Sequence, residues 1–347
     1  MRFRHLMLAR AGLALAVLMA VSAAPAAAQT QLKIALEGSI GGPYAPFLVA
    51  DDRGFYRAEG LDVTFDANGS QTDVIARVAS GSAEIGLADI NALVKFRDQQ
   101  PGTAPKAIFM VYNRPPYAVV ARKSRGIVSP RDLEGKRIGA PPGETASALW
   151  PAFAKINDID PAKVKIENLA AAVREPMLAA GQIDAVTGTS FSAYLNLKER
   201  GVPLNDLVVL QMADYGLPLY GDALIVNPAF AAENPETVRK FLRAYLKGLR
   251  ETIRAPARAL DSVLKRNESA QKEIELERLR MALRDNIVTE EVQANGLGGV
   301  DSERLTRGVE LLTQYLKPKS KIEPSDVFDD SFLPPAAERR IGPARPG

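Results

Sequence analysis

The sequence predicts an α/β protein built as two Rossmann-like lobes with mainly parallel sheets, joined by two crossover strands. Three observations carry this expectation. Short apolar strands, loops and helices alternate along the chain, a rhythm that produces parallel strands with right-handed crossovers. A unit occurs twice, at 77–91 and 177–190: a helix end meets Gly81 or Gly181, an acid follows (Glu84, Asp184), and a short apolar strand lands on small polar residues. Glycine in that position is the usual left-handed helix stop. Finally, about 320 residues remain once the leader is set aside, more than a single core usually serves.

The leader is residues 1–28. Arg2, Arg4 and Arg10 make a basic start, Ala11–Val21 an apolar run, and an alanine-rich stretch ends at Ala28. This is the pattern of a cleaved secretory signal peptide, and the apolar run is short for a bilayer span, which takes roughly 20 residues. The expected location is the periplasm, with no membrane insertion after cleavage. Three of the 44 basic residues belong to the leader, so the remainder balances the 41 acidic ones. The near-neutral remainder carries no basic stripe for nucleic acid. The one histidine, His5, also falls in the leader, and there is no cysteine. A Ser-His-Asp triad, a thiol nucleophile and a His/Cys metal site are thereby excluded. No cofactor and no metal are expected.

After the leader, 32–37 is a strand, 38–43 a Gly-rich loop, and a helix runs from about Tyr44 to Ala58, closed by Gly60. Residues 61–66 alternate apolar and polar as a strand does, and Asn68–Gln71 starts the helix that leads into the first copy of the repeated unit. Another helix covers 92–98. Strands at 107–112 and 117–122 flank Asn113-Arg-Pro-Pro116, a break that suits a crossing between lobes. In the second lobe the pattern resumes with a strand after the 133–136 turn, a loop at 141–145, a helix over 145–156, a strand at 164–169, a short helix opened by Glu175-Pro176, the second repeat, and a helix over 192–200. Residues 207–212 are a strand, 214–222 a loop, and 223–227 extended again, read as the return crossing. Asn234 and Pro235 supply an N-cap and first-turn proline for a helix to about Arg254, and helices follow over 257–265, 272–285 and 302–316. The division is therefore leader 1–28, a discontinuous first lobe of 29–116 and 222–347, and a second lobe of 117–221.

The segment 45–63, with Arg53-Gly-Phe-Tyr56 and Glu59-Gly-Leu-Asp-Val63, resembles the substrate-binding proteins of bacterial ABC importers. The resemblance is to the group handling alkanesulfonates, taurine, nitrate and the thiamine pyrimidine precursor. Residues 79–86, 132–139, 181–185 and 234–238 fit the same pattern in the same order. The resemblance implies the type II periplasmic binding protein fold, a cleft closing on one small molecule, and delivery to a permease and ATPase complex by a monomer. It also implies a relation to an enzyme branch that makes the pyrimidine precursor using histidine.

Ligands of open α/β sheets sit at strand ends, where helix N-termini offer unpaired N–H groups. The candidates in the first lobe are Glu37, Gly38, Ser39, Tyr44, Gly69, Ser70, Asp89 and Asn91. Those in the second lobe are Gly143, Glu144, Thr145, Thr187, Gly188, Thr189 and Ser190. At the crossings stand Tyr112, Arg114, Tyr117, Tyr215, Tyr220 and Asp222, with Trp150 and Phe191 near other strand ends. Small polar clusters also serve as ordinary turns, and aromatics as core. The acids suit an N–H-rich planar heterocycle, whereas Arg114 and Arg174 would suit an oxyanion. The balance of acids and aromatics favours a planar nitrogen heterocycle bound for uptake over a sulfonate, taurine or nitrate. An enzyme on the same scaffold is the further alternative, with only carboxylates, Lys and Tyr to work with.

Overall fold

The computed structural model describes residues 29–316 and 321–342; the expected leader lies outside them. In the first sheet, β1 (Thr30–Leu36) pairs parallel with β2 (Leu61–Ala67) and β3 (Ile85–Asp89). β4 (Lys106–Met110) forms the far edge. The second sheet contains β5 (Tyr117–Arg122), β6 (Arg137–Ala140), β7 (Lys165–Asn168), β8 (Ala185–Thr189) and β9 (Leu207–Gln211). β10 (Asp222–Val226) returns to the first. The orders are β2-β1-β3-β10-β4 and β7-β6-β8-β5-β9.

Each sheet has one reversed strand: β10 runs antiparallel to β3 and β4, and β5 antiparallel to β8 and β9. In both cases it is the strand that has just arrived from the other lobe, entering at the cleft and running outward. The remaining strands of each sheet share one direction, as the alternation predicts. β3 is buried along its whole length, as expected of a strand covered on both faces. Gly86 within it permits the close approach of the helix α1 (Gln71–Ala79): a Cβ there would stand 2.8 Å from Val74 and 2.9 Å from Val78.

Several helices differ in detail from the sequence reading. The helix expected over 44–58 is two, Ala45–Asp52 and Phe55–Ala58, divided at Gly54, whose φ of 70° is left-handed. The helix expected over 145–156 is likewise divided, into Thr145–Ala148 and Trp150–Ile156, because Pro151 cannot donate to the preceding turn. Pro176 does not open its helix but lies inside α2 (Ala171–Ala179). The second repeat leads into α3 (Ser190–Glu199). Asn234 precedes α4 (Pro235–Arg254) without a side-chain cap, its amide pointing back to the Phe230 carbonyl at 3.4 Å. The helix α5 (Lys272–Met281) does not run regularly to 285 but widens into a π-helical turn over Ala282–Ile287. Short helices at Pro228–Glu233 and Glu290–Asn295 were not expected, and α6 (Ser302–Leu316) was.

The two crossings lie side by side. Val111 N and Tyr112 N both donate to the Asp222 carbonyl at 2.9 Å, and Gly221 N donates to the Tyr112 carbonyl at 2.9 Å. Each copy of the repeated unit ends against this pair: Ile90 N donates to Gly221 O at 3.1 Å, and Ser190 N to Pro116 O at 2.7 Å. Behind the crossings, Arg304 of α6 donates to Asn113 O at 2.8 Å and to Leu219 O at 2.6 Å, one carbonyl on each strand. Its guanidinium lies 4.0 Å above the Tyr220 ring and 2.9 Å from Glu291.

Candidate functional site

A cavity of about 370 Å³ opens between the lobes where β1, the crossings and α3 meet. That volume falls in the usual range for small-molecule sites. One wall is the end of β1 and the loop after it, Glu37 through Gly41, followed by Pro43 and Tyr44. Gly38 turns this loop with φ of 59°, a left-handed position that favours glycine. The crossings supply Tyr112, Pro116, Tyr117 and Asp222, the second lobe Thr189, Phe191 and Ser192, and the C-terminal helical region Asn267, Glu275 and Arg278. Tyr112 and Phe191 meet edge to face across the lobes, centroids 6.4 Å apart.

The electrostatics are acidic. Burial, reinforced by Asp89 and Glu37, pushes the Asp222 carboxyl well above the usual carboxylate range. The Tyr44 hydroxyl donates to the Glu37 carbonyl at 2.6 Å, and burial with Glu37 and Asp222 nearby raises its phenol far above the ordinary value. Burial does the same to Tyr112 and Tyr117. Arg278 is the cavity's cation among the described lining residues. It is held by Glu275 at 3.2 Å and donates to Ser192 Oγ at 3.0 Å. Glu275 also accepts from Gly42 N at 2.6 Å.

Of the residues expected from sequence, Glu37, Gly38, Ser39, Tyr44, Tyr112, Tyr117, Thr189, Phe191 and Asp222 line this cavity. Asp89 does not. Its fully buried carboxylate accepts from Asn91 N at 2.7 Å, from Asn91 Nδ2 at 2.8 Å and from the Tyr117 hydroxyl, so it caps its helix and is sealed beneath Tyr117. Asn91 faces a second interlobe cavity, of about 390 Å³, together with Gly143 and Thr145.

The other candidates make contacts within the protein. Ser70 caps α1, accepting from Asp73 N, while the Gly69 carbonyl accepts from Gly38 N at 3.0 Å. Thr187 is buried with its hydroxyl 2.8 Å from Ser147, and buried Ser190 spends its N–H on Pro116. Tyr215 packs edge-on against Phe153, which also contacts Trp150. Tyr220 donates to Glu291 at 2.6 Å under Arg304.

The two arginines that pointed to an oxyanion line neither cavity. Arg114 pairs with Asp214. Arg174, buried beside Gly188, is held by Glu144 at 2.5 Å and Glu175 at 2.8 Å.

Sequence reasoning missed Asn267, Glu275 and Arg278. In the sequence Glu275 and Arg278 form an ordinary three-apart charge pair on a helix, with no sign of the cleft. The one hint was the Gly41-Gly42 pair: a Cβ on Gly42 would lie 2.4 Å from the Glu275 carbonyl, so the loop can pass α5 only as glycine.

The model of a protein family described as NMT1/THI5 like matches residues 43–259. A riboflavin-binding protein, RibY of Chloroflexus aurantiacus, is 29% identical over 301 residues, 84% of this chain and 82% of the relative. A formylaminopyrimidine-binding protein of Halalkalibacterium halodurans is 27% identical, covering 82% and 84%. Among solved structures, the aliphatic sulphonate-binding protein SsuA of Escherichia coli superposes with a TM-score of 0.66 at 13% identity, over 91% of this chain and 94% of that one. That likeness is one of fold: two lobes around a cleft.

Proposed function

The chain belongs to the NMT1/THI5-like family, and from that premise we propose that it is an extracytoplasmic solute-binding protein. It captures a planar nitrogen heterocycle between its lobes and delivers it to the permease of an ABC importer. The observation that carries this reading is the chemistry of the smaller cavity. Tyr44, Tyr112, Tyr117 and Phe191 line it, its acids are Glu37, Asp222 and Glu275 beside a few hydroxyls and the Asn267 amide, and the one lining cation among the described residues is already paired with Glu275. Flat rings stack on such walls, and N–H groups find acceptors at its floor. A sulfonate or nitrate would face carboxylates without a free guanidinium, an arrangement that repels it.

The names of the relatives support the same class of ligand, since riboflavin and formylaminopyrimidine are both planar nitrogen heterocycles. Among the described residues no helix is long and apolar enough to cross a membrane. Native mass spectrometry of protein purified without refolding tests the reading. A co-purified heterocycle supports it, and a co-purified sulfonate or inorganic anion contradicts it.

A second reading has an observation in its favour. A relative named 4-amino-5-hydroxymethyl-2-methylpyrimidine phosphate synthase, from Legionella pneumophila, is 28% identical over 63% of this chain. We propose capture over synthesis because the only histidine of this sequence is His5, ahead of every described element. Turnover of the bound heterocycle, in place of stoichiometric binding, would reverse that choice.

A further inference from the structure

We propose that Asp222 and Glu37 read two neighbouring groups on one edge of the bound ring, Asp222 donating a hydrogen bond to an acceptor and Glu37 accepting one from an N–H. This rests on the reading of the cavity as a heterocycle site and goes further by naming the edge that is recognised. Asp222 stands where the second crossing becomes β10, with its side chain on the cavity wall. Its backbone carbonyl is taken by Val111 and Tyr112. Among the described residues no donor reaches its carboxyl group.

The charged and titratable groups around it leave it no counter-ion. Glu37 at the end of β1 and Asp89 at the end of β3 both oppose a further negative charge. Tyr44, Tyr112 and Tyr117 face the same acids as neutral phenols, each pushed up by burial and by those carboxylates. From α5, Arg278 is committed to Glu275 and Ser192. Asp89 already accepts from Asn91 and Tyr117. Asp222 has no such contacts, and burial with those acids beside it favours its protonated form, which is a donor. Glu37 lines the same cavity, and a carboxyl oxygen can accept a ligand N–H besides the contacts it makes within the protein.

The pair matches rings that set an acceptor beside an N–H. An aminopyrimidine does so with a ring nitrogen and its amino group, and a flavin ring with a carbonyl and its ring N–H. Sulfonate and nitrate groups offer acceptors alone.

Calorimetric titration of the full chain with cytosine and with riboflavin, from mildly acidic to mildly alkaline pH, tests the assignment. Both probes are uncharged over the middle of that range. The wild type is expected to lose about tenfold or more in affinity toward alkaline pH as Asp222 ionises. Asp222→Asn, whose amide keeps a donor in place, is expected to bind with an affinity that no longer varies with pH. Asp222→Leu is expected to lose binding at every pH while melting cooperatively. A pH-independent wild type, or an Asp222→Asn variant that retains the wild-type decline, overturns the assignment and leaves the heterocycle reading standing. Failure of both probes to bind wild type at any pH overturns the heterocycle reading and this inference together.

Discussion

Arg278 of α5 donates to Ser192 of α3 at 3.0 Å, so a helix packed on the Gly42–Tyr44 turn of the first lobe touches the second lobe at the rim of the cavity. Lys198 and Glu277 form an ion pair between the same two helices. Both contacts exist only when the lobes are together, and closure of two lobes about a hinge is how such clefts engage ligands.

Breaking this latch should therefore act on release more than on folding. Lys198 and Glu277 are each 34% exposed, so their pair contributes no more than about 0.5 kcal/mol to stability. Lys198→Ala is expected to shift the melting temperature little while raising the ligand dissociation rate a few-fold in stopped-flow measurements. Arg278→Ala, which also frees Glu275 inside the cavity, is expected to raise it further.

The stability of the ligand-free protein should fall as pH rises above the ordinary carboxyl range. The Asp222 pKa is raised in the folded state, so the folded chain holds more protons than the unfolded one between the two values. Stability declines with pH across that window. Asp222→Asn removes the titration and is expected to melt higher than wild type at neutral and alkaline pH, with the difference vanishing in acid. Thermal melts across pH check this.

Asn91 holds three elements with one amide nitrogen. Its Nδ2 lies 2.8 Å from Asp89, 2.7 Å from the Tyr117 hydroxyl and 2.7 Å from the Tyr220 carbonyl. Asn91→Ala leaves buried polar groups without partners and is expected to cost about 2–3 kcal/mol in denaturant titration.

Arg304 braces both crossings from behind, through Asn113 O and Leu219 O. Arg304→Met keeps the apolar stem and removes the donors. Its expected signature is faster amide hydrogen exchange at 111–116 and 212–221 and a loss of about 1–3 kcal/mol, with the two sheets themselves still protected.

Much of the fold was legible because strand alternation, glycine stops and the repeated unit are local signals with a physical period. The reversed direction of β5 and β10 was not, since antiparallel pairing within the sheet depends on where a strand enters rather than on its composition. The cavity was legible where it follows from strand ends, as at Glu37, Ser39, Thr189 and Asp222. Asp89 lies outside the cavity lining because a polar residue at a strand end can cap the next helix as readily as face a ligand. Glu275 and Arg278 come from a helix far along the chain that folds back over the loop at Gly41 and Gly42, a tertiary placement that no local pattern announces.

Ligand titration across chemical classes tests the central claim most directly. Riboflavin and an aminopyrimidine are to be compared with taurine and nitrate, by calorimetry on the ligand-stripped protein. Saturable binding of one heterocycle at one site per chain, with no heat from taurine or nitrate, is the predicted result. Saturable binding of taurine or nitrate with none of either heterocycle would contradict it.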